Sequence, residues 1–386
     1  MVNYLLSKRG TSILKREFEN NNKLNDLTIP DSFETIDYCA FHKCVSLIKI
    51  EIPSSVKTIG KYAFNICESL KKIVIPTSVT IIDDYVFTQC KSLIDVLIPS
   101  TVKTIGAFAF YGCTSLTKID LSSVTIINEN AFNGCTLLKE INLSSSITKI
   151  SKHAFNGCSS LVEFSIPSSI DSIEDFCFAN CSSLEHIDIP ASIKSIGNHA
   201  FFNCSSLMEV TFDKNSSLNL IDEFAFGRCT SLCKIVFPSS VKEIGMSVLK
   251  GCTSVYKIEI LSPVNKINDY SFAECSALKK IEIPSSVSEI GEDAFRGCYS
   301  LMEIKIPTSV SKIGNNAFNK CNSLHIISIP SSVTSIGKFA FQDCTSLKKI
   351  KIPESITEIG EKAFIGCSSL KDISMPDFID REKIGL

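Results

Sequence analysis

The stretch FQDCTSLKKIKIPESITEIGEKA, residues 341–363, decides the fold. Ile350 and Ile352 alternate with Lys349 and Lys351, the period of two expected of a strand with one buried face. Pro353 has no amide to donate and so ends the ladder. After a polar turn Ile356 and Ile359 point inward again, and Gly360 permits a tight bend. Ala363 and Phe364 then lead through a short helical or 3-10 turn to Cys367. Such a unit is one coil, and its apolar side chains find too few partners within it. It has to stack on copies of itself.

Those copies are written on either side. A cysteine recurs from Cys44 to Cys367 fifteen times at intervals of 23 residues, apart from one interval of 22 (Cys113 to Cys135) and one of 25 (Cys204 to Cys229). A fixed period of this size marks a solenoid, in which each unit packs on its neighbours. The expected fold is therefore an α/β repeat solenoid: a right-handed, curved stack of about 15 coils of 23 residues, with a parallel sheet on its concave side and short helical or 3-10 turns outside. Asn21 stands where a column cysteine would be. This divides the chain into an N-terminal cap over residues 1–20 and a single solenoid over 21–386 that ends in a polar partial coil.

Composition limits the function. Lys and Arg total 39 against 41 Asp and Glu, a net charge of -2, so no global field draws the chain to nucleic acid. Apolar residues make up 44% of the chain, but no run reaches the ~18–20 residues of a spanning helix. Lys8 and Arg9 follow only a short apolar patch, the wrong order for a secretory signal, and the expected location is the cytoplasm. Equivalent positions on stacked parallel strands lie about 4.8 Å apart, which does not suit the Cβ separation and dihedral of a disulfide. The column is thus expected to hold free, buried thiols. Three cysteines, Cys39, Cys177 and Cys233, lie off it. A Phe precedes each column cysteine by three residues, with Leu249 the single exception, and this row reads as core.

The segments AFYGCTSLTKIDL, AFRGCYSLMEIKIPTSVSKIG and AFQDCTSLKKIKIPESITEIG resemble the BspA-like, Treponema-type leucine-rich repeat family, from about Leu24 to Gly385. The resemblance implies a curved parallel sheet and a role in binding other proteins, in some members as adhesins on the surface of mucosal bacteria and parasitic protists. It brings no catalytic residues.

A partner would be read by the strand positions that alternate with the inward Ile column. From Asp120 to Glu209 these positions hold Asp120, Glu140, Glu163, His186, Asp188 and Glu209 with no Lys or Arg among them, while lysines occupy both flanks. This acidic strip is the candidate docking surface for a protein partner with a basic segment. Two irregular stretches are further candidates: residues 213–217, which contain the two extra residues of the long interval, and residues 246–263, where Leu249 replaces Phe and Val255 replaces Leu. No phosphate loop or nucleophile elbow occurs, and the five histidines show no metal-ligand spacing. The reading is a non-enzymatic cytoplasmic interaction scaffold without a cofactor. Its alternative is an adhesin that reaches the cell surface by an unconventional route.

Overall fold

A computed structural model describes residues 10–386, which divide into two compact units, one ending at Leu184 and one beginning at Glu185. Both are built from parallel strands, and every regular coil contributes to two separate ladders. In the first unit one ladder pairs Asp26–Thr28, Lys49–Glu51, Lys72–Val74 and Asp95–Leu97. Lys118–Leu121 and Glu140–Leu143 form a pair of their own. The second unit carries a nine-stranded sheet from His186–Ile189 to Asp372–Ser374. The second ladder consists of two-residue strands that end in an inward Ile, such as Lys312–Ile313, Ser335–Ile336 and Glu358–Ile359 in the second unit. The register is set by burial. Ile350 is paired with Ile373 and both face inward, whereas Lys349 and Asp372 are paired outward and joined at 2.6 Å.

The outer run of each coil is a chain of turns, and its hydrogen bonds explain why. Alternate amides donate to the next coil, from Tyr62, Phe64 and Ile66 to the carbonyls of Asp84, Val86 and Thr88. The amides between them close turns within the coil, from Ala63 to Gly60, Asn65 to Tyr62 and Cys67 to Phe64. A helix would consume all of these donors internally and leave none for stacking. The cost is a left-handed residue every fourth position, taken by Tyr62 at φ 61° and Ile66 at φ 61°. Arg381–Ile384, capped by Asp380 and closed by left-handed Gly385, is the helix found among the described residues. Residues 10–20, the described part of the expected cap, already follow the coil pattern: Ser12–Ile13 pairs with Thr35–Ile36, and Phe18 stacks on Phe41.

Between the ladders lies the core. Phe295, Phe318, Phe341 and Phe364 form a stack with centroids 5.3 Å apart, and Phe41, Phe64 and Phe87 do the same in the first unit at 5.2 and 5.5 Å. None of the cysteines forms a disulfide, and the column thiols are buried except for the half-buried Cys367. Each has a job besides filling space. Cys67 donates its thiol to the Phe41 carbonyl at 3.2 Å, and Cys298 to the Phe272 carbonyl at 3.2 Å. Where a glycine follows the inward Ile, it also has a reason that differs from the expected bend. Gly337 is not left-handed; a Cβ there would lie 2.4 Å from the Asn315 amide nitrogen, so the side chain is excluded by the main chain of the preceding coil.

Candidate functional site

The sheet face was expected to carry a single acidic strip, and the structure sorts its six residues into two groups. His186, Asp188 and Glu209 belong to the second unit, where His186 pairs with Glu209 and Asp188 accepts a hydrogen bond from the Thr211 hydroxyl. Asp120, Glu140 and Glu163 belong to the first unit and line one groove of about 880 Å³.

This groove forms where the ladder is interrupted. Lys118–Leu121 is not paired with Asp95–Leu97, and beyond Glu140–Leu143 the next coil contributes no strand to this ladder, although its Ser172–Ile173 joins the other. The cause of the second gap is visible in the core. The position that holds Ile50, Ile73, Val96, Ile119 and Ile141 in the preceding coils holds Phe164. Its ring wedges against Phe155 and Phe178, with centroids 5.2 and 4.6 Å away. An aromatic ring in an aliphatic slot draws its own segment out of line with the neighbouring strand. No main-chain hydrogen bond is made by residues 162–166 to any described residue. In the regular coil before the groove the corresponding amide, that of Ile94, donates to the Lys71 carbonyl at 2.9 Å.

The charged lining is Asp95, Asp120, Glu140 and Glu163 with Lys118 and Lys139. Asp95 is neutralised by Lys72 at 2.8 Å. Asp120 accepts from the Ser122 amide at 2.9 Å and the Asn142 side chain at 3.1 Å, and these bonds hold its carboxyl below the usual carboxylate range. Among the described residues Glu140 and Glu163 make no ion pair. At the other end of the groove Leu97 is exposed and pairs in register with exposed Val74. The sequence signal for this apolar end is a Val and a Leu at outward strand positions.

A smaller groove of about 340 Å³ in the second unit is lined by Lys266, Glu289, Lys312 and Lys338 beside Gly314 and Gly337. Glu289 bridges Lys312 at 3.2 Å and Lys266 at 3.6 Å, so its central charges are already matched. The irregular stretches are built into the stack. The extra residues at 213–217 close a turn in which Asp213 accepts from the Asn215 and Ser216 amides. Leu249 is fully buried in place of the missing ring. No group of three or more His, Cys, Asp or Glu able to hold a metal ion occurs among the described residues, and no helix among them is long and apolar enough to cross a membrane.

Comparison with known proteins follows the repeat. The model of the BspA type leucine rich repeat region matches residues 11–138, 103–218, 175–301, 214–325 and 288–384. The chain is similar to a leucine-rich repeat protein from Bacteroides ovatus, with 32% identity over 94% of this chain and 90% of that one and a TM-score of 0.73. It is also similar to a leucine rich cell surface protein from Faecalibacterium prausnitzii, with 29% identity over 81% of this chain and 90% of that one and a TM-score of 0.49. None of the curated proteins matches it.

Proposed function

This chain belongs to the BspA-type leucine-rich repeat family, and from that membership we propose that it is a non-enzymatic scaffold holding a protein partner on its exposed sheet faces. The groove of the first unit receives a basic segment of that partner. One observation carries this reading: Glu140 and Glu163 face an open groove of about 880 Å³ with no cation paired to either. A carboxylate that makes no ion pair beside an open groove, unlike Glu303 with Lys280 at 3.0 Å, favours association with a positive partner.

The test is affinity capture from lysate of the source cells with the wild-type chain and with the variant Glu140→Lys/Glu163→Lys, followed by binding of the purified partner to both. The expected result is a partner held by the wild type and lost by the variant, with unchanged thermal unfolding. Equal binding to both would remove the groove from the function. The proposal includes a cytoplasmic location, supported by cysteines that form no disulfide, among them the exposed Cys233. Protease treatment of intact cells checks it: protection alongside a cytosolic marker is expected, and selective loss would favour the adhesin reading.

A further inference from the structure

We infer that the interrupted ladder is itself the recognition element: an extended peptide docks in the groove by main-chain pairing with residues 162–166, adding a strand where the stack omits one. This deepens the proposed function and rests on its reading of the groove as a binding site, but the contact it names is of a different kind.

The argument begins with an accounting of backbone groups. Main-chain donors and acceptors within a sheet are almost always paired, and a row of unpaired ones is a template for another strand. Residues 162–166 are five consecutive residues without a main-chain hydrogen bond, in a stack whose other coils supply them regularly. They are not sealed off from solvent. Glu163 and Ser165 are exposed with Phe164 buried between them, so these residues keep the in-out alternation of a strand although they have no strand partner. Residues 163–167 form one wall of the groove, and the paired strand Glu140–Leu143 lines it too.

The side chains select the occupant. Strand addition derives affinity from the main chain and specificity from every second side chain. Glu140 and Glu163 stand at equivalent outward positions of successive coils, 23 residues apart, and neither is ion-paired. One strand apart at the same level, they converge on a single position of the added strand and match a Lys or Arg there. The occupant is thus a short extended segment of a protein partner that carries a basic residue facing Glu140 and Glu163. Phe164 acts as a positioning residue, because its bulk keeps residues 162–166 out of the ladder.

The probe is an acetylated and amidated octapeptide of alternating Lys and Val, used beside a counterpart N-methylated on every second amide. The counterpart has the same charge but lacks half the donors. Binding to the full chain is read by fluorescence anisotropy, and amide hydrogen exchange is followed over residues 162–166. The expected result is binding of the first peptide with slowed exchange in that segment, and binding at least tenfold weaker for the N-methylated peptide. Phe164→Ile should restore the ladder, slow exchange in the same segment without peptide, and weaken binding of the first peptide. Glu140→Lys/Glu163→Lys should weaken both peptides. Equal binding of the two peptides, with exchange unaltered, overturns strand addition while leaving the acidic groove as a binding site. Failure of both peptides to bind the wild type overturns strand addition and the basic-segment reading together.

Discussion

The thiol of each column cysteine joins two requirements at one position, small apolar volume and a donor for a carbonyl that the stack buries. Cys298→Ala leaves the Phe272 carbonyl without its thiol donor and opens a small void, which should cost about 1–3 kcal/mol in urea unfolding. Phe318→Ala removes a ring stacked on both sides and should cost about 3–5 kcal/mol. An unchanged midpoint in either variant would refute the packing assigned to it. Accessibility separates the thiols further. Cys233 is exposed, whereas the column is buried but for the half-buried Cys367, whose thiol burial pushes up to about 12, so native alkylation should label one equivalent quickly, and Cys233→Ser should abolish that phase. That the column is free and buried was legible in its spacing. The hydrogen bond was not, because its acceptor lies 26 residues earlier and is aimed by a turn whose left-handed residues, Tyr and Ile among them, carry no sequence mark of that conformation.

Strands and turns obey the neighbouring coil as much as their own residues. Gly337→Ala would press a methyl into the Asn315 main chain and should destabilise by about 1–3 kcal/mol, a loss that a glycine needed merely for a bend would not show so uniformly along its row. The strands were readable from Ile alternation closed by Pro. The short second ladder was not, since two residues are too few to show a period. Nor was the gap at residues 162–166, where Phe164 has the right polarity at the right position and only its volume is wrong. The sequence also suggested helical or 3-10 turns outside. The turns are there without the helix because alternate amides are committed to the next coil.

At the scale of the molecule, burial raises the column thiols together. Cys90, Cys135, Cys181 and Cys252 are each pushed up to about 12 from an ordinary 9.0. A thiol raised in the folded state contributes stability that is intact below pH 9 and declines as pH climbs toward 12, because the unfolded chain releases the proton first. Each such thiol adds about 1.4 kcal/mol per pH unit to the slope, so unfolding by alkali should begin soon after pH 9 and be steep. A flat stability between pH 9 and 11 by circular dichroism would contradict their burial. The acidic residues were legible one by one, but their grouping was not: the strip from Asp120 to Glu209 falls partly in each of the two units, and only Asp120, Glu140 and Glu163 share a groove. One last consequence follows from the register that sets Lys349 beside Asp372, a full coil later. Excising residues 324–346 would join Ser323 to Leu347 and set Lys349 opposite Glu303, with like packing on like and opposite charges adjacent. Length in this chain is therefore a quantised trait: recombination can change it by whole coils without disturbing the rest, whereas the loss of a single residue must be absorbed as a local dislocation.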